Sequence, residues 1–553
     1  MQCSRKKNII ILSIKIVAIV TSLFFIAEHY FFEIEPLAVS PTYIVSFLAL
    51  IALNWHTQTY KRENYFKPLH ILLIVVLLFL AVHLRAGIYW ALNTFPLRDA
   101  NTVFLTLQEP FDDFAYGMVK LYLTTTIPQA LIITAFLTIF LYTVLNNTRK
   151  RLISIGIYFT ATTAFVIHNL PISDYIHLLN NEPEKNATYS NFFAENYVNP
   201  DSVKITAPEQ KRNLILIYLE SLETTFSDNE HGGNQDIDLI PEITELAQQY
   251  LSFGRIKKNI GGGFDAIGSS STFGAMITRS LGIPDIANYK KTPILHHYKS
   301  LYKILSNNGY KQIFIQGNSG FYNGFRNFMT DQKINEVYGP DDLIQRLNLD
   351  TTNLTKSKLF KSVHDKDVFK AANQILDTIS EPFTLTFFTI DTHSPHGFYD
   401  PNCIKSIDEK NEDELLKASV RCASKELSKF LISIKSKPFY ENTSIIIFGD
   451  HLFMGTRLVK EFKNRKWINI FINPSKAPIS NEVRLFSDID MFPTILSSMD
   501  FNINGDRLGF GTDLFSRQKT LVENIGLDSL NREINKMSSH LIYESILLQK
   551  NSE

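Results

Sequence analysis

Long apolar runs are concentrated in the first 170 residues of the chain, and shorter apolar segments replace them afterwards. Five runs approach the roughly 20 residues that a helix needs to cross a bilayer. They predict transmembrane helices at 8–27, 38–55, 69–84, 127–145 and 152–170. The second run is the weakest, because a proline and an asparagine interrupt it. The alternative for each run is a buried helix of a soluble domain. The first could also be a signal peptide, but no small-residue cleavage site follows it.

Basic residues fall on one side of this five-span arrangement, in clusters at 5–7, 61–67 and 149–151. The opposite loops carry mainly acidic residues. By the positive-inside rule the basic side is cytoplasmic, so everything from residue 171 onward is predicted to lie outside the cytoplasm. The segment 93–126 has an amphipathic pattern, which fits either a helix on the outer membrane surface or a packing helix.

The hydrophobic pattern changes after Pro171, which ends the last span because proline cannot continue a helix. The proline-containing polar segment 171–211 indicates a linker. Strand patterns then alternate with helical patterns: strands at 214–219, 312–316, 383–390, 444–448 and 467–472, and helices at 241–250, 299–308, 365–380 and 412–435. This alternation predicts an α/β domain at 212–515 with a central, mainly parallel sheet. Residues 516–553 form a C-terminal tail without an assigned role.

The charge of the chain argues against one class of function, nucleic-acid binding. The chain has 55 basic and 55 acidic residues, and its formal net charge is zero. Because no long basic run occurs, the electrostatic footprint of a nucleic-acid-binding protein is missing, and nucleic acid is not an expected partner.

Acidic and histidine residues follow three of the predicted strands. Glu220 follows the first, His393 follows the third, and Asp450 and His451 follow the fourth. Open α/β sheets bind ligands at the carboxyl ends of their strands, and these residue types are ligands for divalent cations. The alternative is a set of ordinary polar loops.

A glycine-rich stretch, Gly261–Met276, leads through three serines to Thr272 and a helical run. A helix N-terminus has free N–H groups and positive potential, which suit a phosphate and favour an alkoxide. Thr272 is therefore a candidate nucleophile. It is preferred because it begins the helical run, whereas the serines belong to the turn, although Ser271 remains an alternative. An ordinary helix N-cap would explain the same pattern without any chemistry.

These residues together predict one divalent metal ion, held by Glu220, Asp450 and His451. The Thr272 hydroxyl would complete the metal shell and lose its proton there. Such a nucleophile attacks phosphorus or sulfur and forms a covalent ester. His393 would bind a phosphoryl oxygen or protonate the leaving group, and Glu223 would lie behind the ligands or in solvent.

The motifs resemble those of the alkaline-phosphatase/sulfatase superfamily, in its branch of membrane-bound phosphoglycerol and phosphoethanolamine transferases. They look most like the phosphoglycerol transferases and are similar to lipoteichoic acid synthases. The matching segments occur in the family's order: Leu216–Glu223, Thr272–Met276 with Gly282–Pro284, Asp391–Gly397 and Gly449–Leu452.

The resemblance implies a sulfatase-like catalytic domain in which Thr272 is the nucleophile. It implies that Glu220, Asp450 and His451 are metal ligands and that His393 contacts substrate. The metal would be manganese, with zinc or magnesium as alternatives. One loop departs from the family pattern, because Arg326 is displaced from the basic group of relatives. Arg326 is kept as a substrate-binding candidate.

The implied function is transfer of a phosphoglycerol-type head group from a membrane phospholipid to a periplasmic or extracellular glycan, through a phospho-threonine intermediate. The implied location is the bacterial inner membrane, with several spans and the catalytic domain outside. The alternatives are a phosphoethanolamine transferase acting on a surface glycolipid such as lipid A, and an inactive sensing or binding domain. A formylglycine sulfatase is excluded, because no Cys or Ser is followed by x-Pro-x-Arg.

Two of the three cysteines lie close together, at Cys403 and Cys422. The resembling transferases carry a similar pair, and the predicted topology puts both residues in an oxidising compartment. A disulfide is therefore predicted, with two unpaired buried thiols as the alternative.

Overall fold

The computed structural model describes most of the chain after residue 67. The described residues are 68–94, 113–144, 148–169, 191–284, 298–318, 328–350, 354, 361–394, 396–405, 407–408, 411–454, 458–459, 465–480, 482–534 and 536. The predicted spans at 8–27 and 38–55, the first half of the linker and Arg326 lie outside them. The chain divides into two compact units: Met1–Val103 with Ala115–Ile176, and Phe104–Phe114 with His177–Glu553.

The described part of the first unit consists of three helices: α1 Pro68–Thr94, α2 Asp113–Val144 and α3 Thr148–Asn169. One segment of these residues, Tyr122–Ile139 in α2, is long and apolar enough to cross a membrane by length and composition. The apolar stretches in the other two helices, Leu72–Ile88 and Ile153–Phe165, are shorter. The five-span arrangement therefore stays a prediction.

The amphipathic segment before the fourth predicted span is not a separate helix where the structure describes it. Residues 113–126 are the first turns of α2 and continue directly into the apolar segment. Pro128 lies inside α2 without ending it. The change from amphipathic to apolar character therefore occurs within one helix and does not mark a helix boundary.

The second unit contains the α/β domain. Its helices are α4 Phe192–Asn196, α5 Pro241–Gln249, α6 Thr272–Leu281, α7 Leu301–Asn307, α8 Pro340–Leu347, α9 Asp365–Leu376, α10 Glu412–Ile434, α11 Met491–Ser498 and α12 Leu521–Ile525. Its strands are β1 Ile205–Thr206, β2 Asn213–Leu219, β3 Gly262–Gly263, β4 Lys311–Gln316, β5 Glu336–Tyr338, β6 Phe383–Phe388, β7 Thr443–Gly449, β8 Trp467–Ile472, β9 Asn502–Ile503, β10 Arg507–Leu508 and β11 Gly511–Thr512. All five strands and all four helices predicted between residues 212 and 515 are present.

The central sheet has seven strands in the order β3-β8-β7-β2-β6-β4-β5. The strands β7, β2, β6, β4 and β5 run parallel to one another, as predicted. However, β8 runs antiparallel to β7, and β3 runs antiparallel to β8. The sheet is therefore mixed, which corrects the expectation of a mainly parallel sheet at this edge. Adjacent antiparallel strands need no crossover helix, so no helical pattern marks the connection between β7 and β8.

Strand β2 lies at the centre of the sheet and is buried along its whole length. Successive side chains point to opposite faces, as the two-residue period of a strand requires. Leu214 and Leu216 pack into one hydrophobic core, which also receives α6 and α11, whereas Ile215 and Ile217 pack into the other, which receives α9 and α10. Both faces are covered, which fits the continuous apolar pattern of this strand.

Residues beyond 515 contribute to the same domain. Leu521 and Val522 of α12, and Leu530 and Ile534 after it, belong to the core that contains Leu216. From the sequence these residues were assigned to a tail, because the spacing of their apolar side chains does not show which surface they cover.

The predicted disulfide between Cys403 and Cys422 is present and is confirmed. It joins the loop after β6 to the middle of α10, across a sequence separation of 19 residues. In the chain-entropy description, closing a loop of this length stabilises the folded state by about 3 kcal/mol.

Candidate metal centre

The carboxyl ends of β2, β6 and β7 lie side by side, because these three strands are adjacent and parallel. The backbone N–H of Glu220, directly after β2, donates to the Thr389 hydroxyl after β6 at 2.9 Å. The backbone N–H of Asp450, directly after β7, donates to the Leu219 carbonyl at 3.0 Å. The strand ends are therefore locked together at the point where the predicted ligands occur.

Glu220, Asp450 and His451 form a compact cluster, in which one ligand atom from each lies within 4.8 Å of the others. The Nε2 atom of His451 is 3.6 Å from a carboxylate oxygen of Glu220 and 3.6 Å from one of Asp450. The other ring nitrogen, Nδ1, is 2.9 Å from the Leu452 carbonyl. A hydrogen bond there fixes the ring and leaves Nε2 facing the carboxylates, as in many metal-binding histidines.

The electrostatics of this cluster fit a bound divalent cation. All three side chains are buried, and burial together with the charge of Asp450 raises the pKa of Glu220. Burial lowers the pKa of His451, but the carboxylates of Asp450 and Glu220 outweigh it and raise that pKa to about 9. One carboxylate oxygen of Asp450, Oδ2, is buried without a hydrogen-bond partner among the described residues. Two carboxylates and an imidazole are a donor set for a divalent cation, which would also satisfy this oxygen.

Ser221 holds the two carboxylates in place, and the sequence analysis did not identify it. Its backbone N–H donates to Asp450 Oδ1 and its hydroxyl donates to Glu220 Oε1, each at 2.6 Å. Its φ angle of 53° lies in the left-handed region, which is uncommon for a residue with a side chain. Strained backbone of this kind clusters at functional sites.

Thr272 is the first residue of α6, and its side chain lies close enough to the Glu220 carboxylate to lower the pKa of Glu220. Thr272 is only partly buried. Ser271 is the N-cap of the same helix, and its hydroxyl accepts a hydrogen bond from the Gly274 N–H at 3.1 Å. The two candidate nucleophiles therefore differ in their contacts: Thr272 contacts the cluster, whereas Ser271 caps the helix.

The two remaining serines of the stretch have other surroundings. Ser269 is fully buried, with its hydroxyl 3.3 Å from that of Thr278, and Ser270 is exposed. Neither has a recorded contact with the cluster in the described part of the chain.

His393 lies beside the cluster. Burial lowers its pKa, and its ring interacts electrostatically with both His451 and Asp450. Its Nδ1 atom is 2.8 Å from the Ser394 carbonyl. The Nδ1 atom of His396 is 2.8 Å from the Gly397 carbonyl, and among the described residues His396 makes no hydrogen bond with the cluster.

Glu223 is buried and does not face solvent. Both of its carboxylate oxygens accept hydrogen bonds from Arg465 at 3.1 Å, and Oε2 also accepts from the Phe453 N–H at 3.1 Å. Since Phe453 follows His451 by two residues, Glu223 anchors the turn that carries the histidine.

Asp265, inside the glycine-rich stretch, was not singled out from the sequence. Its pKa is raised by burial and by the nearby charge of Asp488. Its Oδ2 atom is 3.5 Å from the Leu452 N–H, a long contact, and Oδ1 has no hydrogen-bond partner in the part of the chain that is described. A lone aspartate between glycines gives no sequence signal for this position.

Two glycines of the stretch are needed for packing. They form β3, which pairs with β8. A Cβ atom on Gly262 would lie 2.6 Å from the Lys466 Cβ, and one on Gly263 would lie 2.3 Å from the Trp467 ring. These glycines therefore allow close approach to the neighbouring strand.

The chain is similar in sequence to known phosphoglycerol transferases. Phosphoglycerol transferase I from Escherichia coli is 27% identical over 286 residues, a match that covers 50% of this chain and 35% of the relative. The chain thus spans about a third of the length of the curated relatives that it matches.

Two solved structures are similar to this chain. One is a protein in the alkaline phosphatase superfamily from Vibrio parahaemolyticus, with a TM-score of 0.45, 20% identity, and coverage of 58% of this chain and 74% of the other. The second is the integral membrane protein lipooligosaccharide phosphoethanolamine transferase A from Neisseria meningitidis, with a TM-score of 0.43, 13% identity, and coverage of 83% and 87%.

A family model for sulfatases matches residues 212–501, which is more than half of the 553 residues. The match includes Glu220, Thr272, His393, Asp450 and His451. The expectation of a sulfatase-like enzyme related to the phosphoglycerol transferases is confirmed, while the roles of the individual residues stay predictions. The chain belongs to the sulfatase family.

Proposed function

We propose that this protein transfers a phosphoglycerol-type head group from a membrane phospholipid to a glycan outside the cytoplasm. The observation that carries the proposal is the position of Thr272, a partly exposed hydroxyl at a helix N-terminus whose side chain lies close enough to the buried Glu220 carboxylate to lower its pKa. The similarity to phosphoglycerol transferase I supports the choice of head group.

Glu220, Asp450 and His451 would hold one divalent cation, which we propose to be manganese, with zinc or magnesium as alternatives. When bound, the cation supplies positive charge that lowers the pKa of the Thr272 hydroxyl and offsets the repulsion between the two carboxylates. Helix α6 adds the positive end of its dipole at the same place.

The transfer has two steps, and Thr272 takes part in both. In the first, Thr272 Oγ, which has lost its proton to solvent, bonds to the phosphorus of the donor, the bond from phosphorus to the diacylglycerol oxygen breaks, and that oxygen takes up a proton. In the second, an acceptor hydroxyl loses its proton and bonds to the phosphorus, while Thr272 Oγ leaves. His393 is the candidate to give the first proton and receive the second, as one group commonly does in both halves of such a reaction. Arg326 remains a candidate for binding the head group.

The domain organisation is proposed as a transmembrane domain at 1–170, a linker at 171–211, the catalytic domain at 212–515 and a tail at 516–553, whose residues Leu521, Val522, Leu530 and Ile534 pack into the core of the catalytic domain. The three basic clusters and the apolar helices support an inner-membrane protein whose catalytic domain lies outside the cytoplasm. A phospholipid of the outer leaflet would then be within reach of a tethered domain.

Two reporter enzymes fused after Lys211 test this topology. We expect a reporter that works only outside the cytoplasm to be active and a reporter that works only in the cytoplasm to be inactive. The physical reason is the distribution of the Lys and Arg clusters on one side of the spans. Activity of only the cytoplasmic reporter would overturn the topology.

The function is tested with the full-length protein in liposomes that contain phosphatidylglycerol or phosphatidylethanolamine, with Mn²⁺ and a glycan acceptor. We expect diacylglycerol release and a phosphoglycerol adduct on the glycan, detected by mass spectrometry, from phosphatidylglycerol. The Thr272→Ala variant serves as the inactive control. Transfer from phosphatidylethanolamine alone would instead indicate the phosphoethanolamine transferase, and no transfer from either lipid would favour a binding or sensing role.

A further inference from the structure

Arg279 is a fully buried arginine on the same helix as Thr272. It follows Thr272 by seven residues, which is about 10.5 Å along a helix. Its guanidinium lies over three aromatic rings, 4.1 Å from the centre of Trp467, 4.9 Å from that of Phe448 and 5.6 Å from that of Tyr218. These rings belong to three adjacent strands, so the charge lies against the sheet beside the strand ends of the site.

The guanidinium of Arg279 makes two kinds of bond at once. Its Nε donates to Asp488 Oδ1 at 2.7 Å, and Nη2 is 2.7 Å from the same oxygen without the geometry of a hydrogen bond. Its Nη1 donates to the backbone carbonyl of Gly449 at 3.0 Å. Gly449 is the residue directly before Asp450, so Arg279 ties the helix of the proposed nucleophile to the turn that carries two of the metal ligands.

Asp488 extends this connection to the glycine-rich stretch. Its second oxygen, Oδ2, accepts a hydrogen bond from the Ala266 N–H at 3.0 Å. Asp488 is fully buried as well. One buried ion pair thus connects α6, the end of β7 and the loop that leads into Thr272.

A buried ion pair is weak evidence for stability, since apolar side chains of similar size are often tolerated in its place. An arginine, however, has a rigid planar fork that can satisfy a carboxylate and a carbonyl in fixed directions. The bonds of Arg279 therefore indicate a role in fixing the relative positions of the segments that it joins, more than a role in stability. A shift of α6 relative to the Asp450 turn would break the bond to Gly449 or those to Asp488.

We propose that Arg279 is a positioning residue, which through its bonds to Asp488 and the Gly449 carbonyl holds Thr272 in register with Asp450 and His451. The inference rests on the proposed function, because it assigns Arg279 to the geometry of that reaction. Arg279 does not itself contact the reacting atoms.

The test compares Arg279→Lys with a matched control, Arg484→Lys, in the full-length protein. Lysine keeps the charge but lacks the fork, so it cannot make both sets of bonds. Arg484 is also buried, pairs with Glu523 at 2.9 Å and donates to the backbone carbonyls of Leu514 and Ser516, away from the metal ligands.

For Arg279→Lys we expect the Mn²⁺ dissociation constant to rise and kcat to fall, each by roughly 10–100-fold, as for other residues that orient metal ligands. The KM for the donor lipid should stay nearly unchanged. Arg484→Lys should lower the melting temperature similarly but keep the metal affinity and kcat of the wild type. Equal loss of melting temperature with unchanged metal affinity and kcat in both variants would overturn the proposal.

A second variant covers the case in which Arg279→Lys fails to fold. Arg279→Met combined with Asp488→Leu removes both buried charges, and it should fold while showing the same loss of metal affinity and kcat. Wild-type activity in this folded double variant would overturn the proposal.

The metal titration needs no donor lipid, so it separates this inference from the proposed function. If the wild type binds Mn²⁺ but transfers no head group, the proposed function fails and the comparison of affinities still decides the role of Arg279. If the wild type binds no Mn²⁺, amide hydrogen exchange decides. Exchange across 266–274 and 449–453 should be faster in Arg279→Lys and unchanged in Arg484→Lys, and equal exchange in both would overturn the proposal.

Discussion

Replacing Thr272 with alanine is expected to lower the rate of head-group transfer by a factor of roughly 10⁴ to 10⁶, the loss typical of a removed nucleophile. The neighbouring hydroxyls among the described residues have other partners: Ser271 caps α6, Ser221 donates to Glu220, and Ser269 is buried against Thr278. The fold should survive, since Thr272 is partly exposed and the cap at Ser271 stays intact. The measurement is single-turnover release of diacylglycerol from phosphatidylglycerol liposomes by the full-length protein.

The same experiment distinguishes Thr272 from Ser271. Ser271→Ala removes the cap and should cost about 1 kcal/mol of folding free energy, yet it should leave the phosphoglycerol adduct on Thr272 in the absence of acceptor. Thr272→Ser should keep a fraction of the activity. An adduct mapped to Ser271, or normal turnover in Thr272→Ala, would exclude Thr272 as the nucleophile.

The main elements of this site were predictable because each leaves a local signal. The strand before Glu220 and the strand before Asp450 are continuous apolar runs, and parallel strands bring their carboxyl ends to one edge. Thr272 begins a helix that follows glycine and serine residues. Local pattern and general sheet geometry were therefore enough to predict that these side chains lie close together.

The contacts that support the site could not be predicted in this way. Arg279 and Asp488 are separated by 209 residues, and Glu223 and Arg465 by 242. Nothing in the residues around Arg279 indicates a buried ion pair, since an arginine at that position of a helix is usually solvated. Such pairs depend on which strands become neighbours, and the sequence pattern does not contain that order.

The antiparallel edge of the sheet was missed for a related reason. Strand β3 consists of Gly262 and Gly263, which have low β-propensity and no hydrophobic alternation. They pair with β8 because only residues without a Cβ atom fit against Lys466 and Trp467. Shape complementarity between distant segments determines this strand, and a local pattern cannot show it.

Removing the divalent metal by chelation is expected to abolish head-group transfer, and Asp450→Asn is expected to reproduce that loss. The substitution need not remove any backbone contact, because an amide oxygen can still accept from the N–H groups of Ser221 and His451, as Asp450 Oδ1 does at 2.6 and 2.7 Å. The change is confined to the Oδ2 position, where an uncharged amide nitrogen replaces a buried carboxylate oxygen. The loss of metal affinity should exceed the roughly 10–100-fold typical of residues behind the ligands.

Stability provides a measurement that is independent of activity. A cation that binds only the folded state stabilises it by about 2.7 kcal/mol at a concentration 100 times its dissociation constant. Mn²⁺ should therefore raise the melting temperature of the wild type but not that of Asp450→Asn. Without metal, Asp450→Asn should change the melting temperature little, because the substitution removes both the repulsion of Glu220 and the attraction to His451.

The chain offers a matched control for this comparison in a second group of possible ligands, Asp228, His231 and Asp238, which is only partly buried. Asp228→Asn also neutralises a carboxylate beside a histidine, yet it should leave both the Mn²⁺-dependent rise in melting temperature and the transfer activity intact. If instead Asp228→Asn abolished the rise, the metal that stabilises the fold would bind at that second group. Full activity of Asp450→Asn in metal-free buffer would show that head-group transfer does not depend on a metal held by Glu220, Asp450 and His451.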